Sequence, residues 1–123
     1  MTTMDLAKKY VALCEQGKFE QCLAELFAKD AVSVEAGGPP GMERTARGLD
    51  AIRAKGEWWE KNHEIHGIKV EGPYPNEDRF IVRFTMDITI KQHNQRVTMD
   101  EMGLFTVKDG KIVREEFFYV TEG

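Results

Sequence analysis

The segments Val97-Thr98-Met99-Asp100-Glu101-Met102-Gly103-Leu104-Phe105-Thr106-Val107-Lys108 and Lys111-Ile112-Val113-Arg114-Glu115-Glu116-Phe117-Phe118-Tyr119-Val120 flank the dipeptide Asp109-Gly110. An Asp-Gly pair between two runs rich in β-branched and aromatic residues predicts a hairpin with a type I′-like turn. Side chains alternate faces along a strand, so Val97, Met99, Glu101, Phe105 and Val107 share one face of the first arm. On the second arm Val113, Glu115, Phe117 and Tyr119 share a face. Each face is apolar except for one carboxylate, and a carboxylate in such a place is paired, at the rim, or held for chemistry.

Working back from the hairpin, Phe80, Val82, Phe84, Met86, Ile88 and Ile90 alternate with Arg79, Arg83, Asp87 and Lys91, the pattern of a half-buried antiparallel strand. Asn94 lies at the tip that leads into the hairpin. His63 to Val70 reads as a further strand, and Gly72 to Asp78 as the turn after it. Gly48 to about Asn62 reads as a helix with Leu49, Ile52 and Trp59 on one face.

Toward the N-terminus, Leu6, Tyr10, Leu13 and Cys14 recur at helical spacing, and Gly17 is placed to end that helix. Phe19, Cys22, Leu23, Leu26 and Phe27 form the stripe of a second helix. Asp30 to Glu35 is a strand with Val32 and Val34 on one side. The loop from Gly37 to about Arg47, with Pro39 and Pro40, cannot continue helix or ladder and is a candidate lid. The order is helix, helix, strand, helix and then four long strands. It predicts an α+β fold in which a curled antiparallel sheet is covered on one face by three helices, as a single domain over 1–123.

The 123 residues suffice for a core without disulfides or metal. A net charge of −4 argues against nucleic acid as the main partner. There is no apolar run of membrane-spanning length and no signal-peptide pattern at the N-terminus, so the cytoplasm is the expected location. Cys14 and Cys22 fall on apolar helix faces and read as small buried hydrophobes. Cys-x-x-Cys, His-x-x-x-His and Gly-rich phosphate motifs are lacking, so no metal or cofactor is expected.

This order, with Asp-Gly-Lys-Ile in the last hairpin and an aromatic-rich final strand, resembles the nuclear transport factor 2-like superfamily across the whole chain. Within it, the SnoaL-like and ketosteroid isomerase-like branch is most similar. The resemblance implies a cone with an apolar pocket and a homodimer built through the outer sheet face. It also implies three site positions. Tyr10 stands seven residues before Gly17, as a tyrosine does in that family. Glu35 falls on the carboxylate base, in Asp30-Ala31-Val32-Ser33-Val34-Glu35. Glu101, ahead of Phe105, falls on an acid of the penultimate strand. Both carboxyl positions hold Glu where the pattern has Asp.

Each candidate has a plainer alternative. Glu101 either is satisfied by Tyr10 or His66, or is a desolvated acid whose pKa rises and which donates a hydrogen bond. Glu35 either ends a strand at the surface or is a general base. Tyr10 either packs in the core or contacts ligand. His66, on a strand face with Ile68 and Val70, is either a satisfied core residue or an acid/base group. Lys55 either lays its stem on apolar surface or pairs with a pocket carboxylate. Glu115 either pairs with Lys55 or an arginine, or is a second pocket acid. Trp59, Phe84, Met86, Phe117 and Tyr119 read as core that doubles as pocket wall. The function these imply is binding of a compact hydrophobic carbonyl or hydroxyl compound. Any chemistry would be cofactor-free acid–base isomerisation, cyclisation or dehydration. The rival is a non-catalytic ligand-binding or protein-association domain.

Overall fold

The computed structural model describes residues 2–38 and 41–120; Pro39 and Pro40, part of the loop expected to act as a lid, lie outside the described residues. Helices α1 (Thr3–Glu15), α2 (Phe19–Leu26) and α3 (Leu49–Asn62) accompany strands β1 (Phe27–Val34), β2 (Thr45–Arg47), β3 (His63–Asn76), β4 (Arg79–Ile90), β5 (Gln95–Lys108) and β6 (Lys111–Phe118). The fold is α+β, and the six strands form one sheet in the order β2-β1-β6-β5-β4-β3.

Local chemistry explains the element ends. Thr2 and Asp5 form a capping box at the start of α1. At its end Gly17, with φ 71°, lets its own N–H reach the Cys14 carbonyl while the Lys18 N–H reaches that of Leu13. Asp109 and Gly110 have φ of 52° and 75°, both positive as a type I′ turn requires, and Lys108 pairs with Lys111.

The sheet differs from the expected antiparallel one at a single seam. β1 pairs with β6 in parallel, with Ser33 opposite Glu115. The helical connection through α3 and the long meander of β3 to β5 carry the chain back to the sheet on the same heading. β1 begins at Phe27, which reads as the end of the helix stripe but starts the strand. The segment expected as loop holds the short β2, antiparallel to β1. β3 continues past Val70 to Asn76; Pro73 sits within the irregularity between Glu71 and Tyr74 and Pro75 just beyond it, on an edge strand where a missing N–H is tolerated.

Two bulges change which side chains face inward. In β3 the register skips His66 between Ile65 and Gly67. In β6 it skips Val113, so Ile112 is buried while Glu115 and Phe117 keep the inner face.

The core lies between α1, α2 and the concave sheet face. Tyr10 is ringed by Phe27, Phe80, Phe84 and Phe105, with centroids 4.6 to 6.5 Å away. Cys14 and Cys22 are buried free thiols, as small core residues; the neighbouring Cys22 thiol and burial hold Cys14 well above the ordinary thiol pKa.

Gly103 is required by this packing. A Cβ there would stand 2.7 and 2.8 Å from Phe105 ring atoms and 3.2 Å from Phe117. The Phe105 ring cannot yield, because it stacks on Phe80 at 4.9 Å. Gly103→Ala is therefore expected to destabilise the protein by about 1–3 kcal/mol. A urea denaturation midpoint equal to wild type would count against this account.

Candidate active site

The C-terminal ends of β1 and β6 lie side by side, β6 against the middle of β5, and the middle of α3 lies against β1. Ala31, Ser33 and Glu35 share the inner face of β1, and the parallel seam sets Ser33 beside Glu115 of β6. From α3, Lys55 reaches this strand end. Its ammonium donates to Glu35 Oε1 at 2.8 Å and also to Ser33 Oγ. It stands 5.5 Å from the centroid of the Phe117 ring, a position that favours a cation electrostatically. Glu35 Oε2 accepts from the Tyr119 hydroxyl at 3.0 Å. The same hydroxyl lies 3.0 Å from the Gly37 carbonyl, so its one proton serves either acceptor.

Two more carboxyls complete the cluster. Glu115 is 6% exposed. Burial raises its pKa to about 7, against the lowering influence of Lys55 and the Ser33 hydroxyl. Glu101 lies opposite Phe84 on the neighbouring strand. Its pKa is likewise raised to about 7, first by burial and then by the charges of Glu35 and Glu115. Burial and the Glu35 charge push Tyr119 up to about 12. Near neutral pH the site thus combines an ion-paired carboxylate, two carboxyls close to half-protonated, and a phenol that keeps its proton.

The structure brings together Glu35, Lys55, Glu101, Glu115, Phe117 and Tyr119, with Phe84 as the wall beside Glu101. It places the other expected residues elsewhere. Tyr10 lies deeper in the aromatic core, where burial raises its pKa well above the ordinary value and the Glu115 charge still reaches it. His66 does not share the inner face with Ile68 and Val70. The bulge turns it to solvent, where it hydrogen-bonds Thr89 at 2.7 Å. Trp59 stacks on His63 at 4.4 Å, one helical turn beyond Lys55. Met86 is buried opposite Met99, two residues along the same strand face from Phe84, the ladder partner of Glu101. Ser33 was not singled out from the sequence; its signal is its place two residues before Glu35 on the same strand face.

A shallow groove of about 510 Å³ lies against the cluster, lined by Arg83, Asp100, Glu101, Met102, Phe118, Tyr119 and Val120. It joins the site, through Glu101 and Tyr119, to the outer face of the sheet. Among the described residues no group of three or more His, Cys, Asp and Glu side chains is arranged to hold a metal ion, and no helix is long and apolar enough to cross a membrane.

A curled six-stranded sheet with three helices is the nuclear transport factor 2-like fold. The chain belongs to the SnoaL-like domain family, whose profile matches residues 1–119. It is similar to a Mesorhizobium loti protein named both as a SnoaL-like polyketide cyclase and as a carbohydrate phosphatase, with 45% identity, TM-score 0.91, and coverage of 97% of this chain and 100% of that one. A Xanthomonas campestris protein of cystatin-like fold and unknown function shares the architecture at 18% identity, with TM-score 0.80 and coverage of 98% and 92%. So does a Burkholderia pseudomallei nuclear transport factor 2-like protein of unknown function, at 19% identity, TM-score 0.76 and coverage of 96% and 90%. No curated protein matches the chain.

Proposed function

We propose that this protein is a cofactor-independent acid–base catalyst acting on a small, largely apolar compound with an enolisable carbonyl, in the manner of an isomerase, cyclase or dehydratase. The observation that carries the reading is the Glu35 carboxylate, held by Lys55 and Tyr119 and faced by two carboxyls with pKa raised to about 7. Glu35 takes the proton next to the carbonyl. Glu101, in its protonated form, and the Tyr119 hydroxyl donate to the oxygen on which charge develops. Tyr119 fills the role that the family resemblance assigns to Tyr10, because Tyr10 is enclosed by four phenylalanine rings. Of the two names that the Mesorhizobium relative carries, polyketide cyclase fits this chemical class and carbohydrate phosphatase does not.

Deuterium uptake next to the carbonyl tests this without knowledge of the natural substrate. A panel of small cyclic ketones and 1,3-dicarbonyls in D₂O is expected to include members whose exchange the protein accelerates, with Glu35→Gln abolishing the acceleration. Tight binding of panel members with no exchange on any would instead support a non-catalytic binding domain.

The same proposal includes a second copy of the chain on the outer sheet face. Tyr74, Ile81, Met102 and Phe118 are exposed there, and an apolar face of this kind marks an interaction surface. Sedimentation velocity is expected to give a dimer that Met102→Glu with Phe118→Lys converts to monomer. A monomeric wild type would remove this part of the proposal.

A further inference from the structure

Glu115 has no role in the chemistry above, yet it is the most deeply buried carboxyl of the cluster. Its surroundings are specific. From β1, Ser33 lies beside it and Glu35 two residues further on. From α3, Lys55 reaches toward it, bound to both Ser33 and Glu35. From β5, Phe105 is its ladder partner, and Glu101 lies further along the same strand face. From α1, Tyr10 and Cys14 are near enough to sense its charge. The Lys55 ammonium therefore binds Glu35 directly and, bound also to Ser33, lies close enough to Glu115 that it and the Ser33 hydroxyl both favour the ionised form of that carboxyl.

We infer that Glu115 is a positioning residue: by losing its proton it draws the Lys55 ammonium inward through Ser33 and frees Glu35 to act as the base. The inference rests on the assignment of Glu35 as base and adds the regulation of that group. When Glu115 is protonated, Lys55 has only Glu35 as an anionic partner, and the base is held by its counter-ion. When Glu115 ionises, a second anion competes for the same ammonium in a poorly solvated place, where attraction between charges is strong. Lys55 is suited to the exchange because its ammonium sits on a flexible stem with three donors. Two of those donors are already committed to Ser33 and Glu35. The switching range follows from burial, which brings Glu115 to about 7.

The test follows the nitrogen-15 shift of Lys55 Nζ and the carbon-13 shift of Glu35 Cδ from pH 5.5 to 8.5, in wild type and in Glu115→Gln, Glu101→Gln and Ser33→Ala. The expected result is a step in both signals near pH 7 that Glu115→Gln removes and Glu101→Gln retains. Ser33→Ala, which leaves all carboxyls in place, should shrink the step by half or more. It supplies the decision if Glu115→Gln does not fold. A wild type without the step, a full step in Glu115→Gln or Ser33→Ala, or a step lost in Glu101→Gln would each overturn the inference. These spectra need no substrate, so the inference can fail while deuterium exchange succeeds, and the reverse. Where exchange is measurable, the ionised fraction of a group with pKa 7 grows about tenfold between pH 6 and pH 8. The protonated fraction of Glu101 falls by the same factor over this range, so the wild-type rate should peak near pH 7, while the Glu115→Gln rate should only fall, by about tenfold.

Discussion

Glu35→Gln is expected to lower carbonyl-adjacent deuterium exchange by about 10²- to 10⁴-fold, the usual contribution of a positioned general base. The amide matches the carboxylate in shape; its oxygen can accept from Lys55 while its NH2 donates to the Tyr119 hydroxyl, whose proton turns to the Gly37 carbonyl, so the fold should survive. The Lys55–Glu35 pair is about a quarter exposed on each side chain, and ion pairs of that kind contribute little to stability. Loss of activity with an unchanged unfolding midpoint would therefore locate the effect in chemistry. Glu35→Asp should also be impaired, by roughly 10²-fold, because shortening the side chain withdraws the carboxylate by about 1 Å from where the reacting proton lies. Exchange by Glu35→Gln at the wild-type rate would remove Glu35 from the mechanism.

The second large effect concerns stability and pH. In the unfolded chain Glu115 takes the ordinary value of 4.5, whereas in the fold burial raises it to about 7. Folding thus takes up a proton between these values. The stability tied to this group is full below about pH 4.5 and is lost as pH rises through 7. At about 1.4 kcal/mol per pH unit the loss amounts to about 3 kcal/mol. Glu101 acts in the same direction. Asp87 and Asp100 lie below the ordinary carboxylate range through hydrogen bonds from Arg96 and Arg83, so their influence falls at more acid pH. Urea unfolding at pH 5 and pH 8 should show a less stable protein at pH 8. The drop should be much smaller in Glu115→Gln, whose side chain does not titrate. Equal wild-type stability at both pH values would contradict the burial argument.

Much of this architecture could be read from local chemistry. The glycine after α1, the Asp-Gly turn and the six alternating apolar residues of β4 each act within a few residues, so their physics is contained in the neighbouring sequence. The places where the reading and the fold part are non-local. Parity counting put Val113 and His66 on inner faces, and a single bulged residue in β6 and in β3 reversed each assignment. The short β2 exists only because β1 offers it a partner. The parallel meeting of β1 and β6 joins segments some eighty residues apart, and no local pattern announces it. The site divides in the same way. Glu101 and Glu115 are visible as carboxylates on apolar strand faces, and Lys55 as a cation on an apolar helix stripe. Ser33 becomes conspicuous only when the parallel seam sets it beside Glu115. Tyr119 replaces Tyr10 beside Glu35 because the final strand, and not the first helix, arrives at the end of β1.

The parallel seam also has a consequence for the order of assembly. Ser33 and Glu35 are made well before their partners Glu115 and Tyr119, which lie some eighty residues further along the chain. The β3–β4–β5 meander can zip from its own turns, but the β1–β6 contact must close a long loop before any pairing rewards it. The polar cluster therefore forms in the same late event that completes the sheet. A nascent or partly folded chain has its carboxylates scattered in water with ordinary acidity. Reactivity at this site and completion of the fold then arrive together.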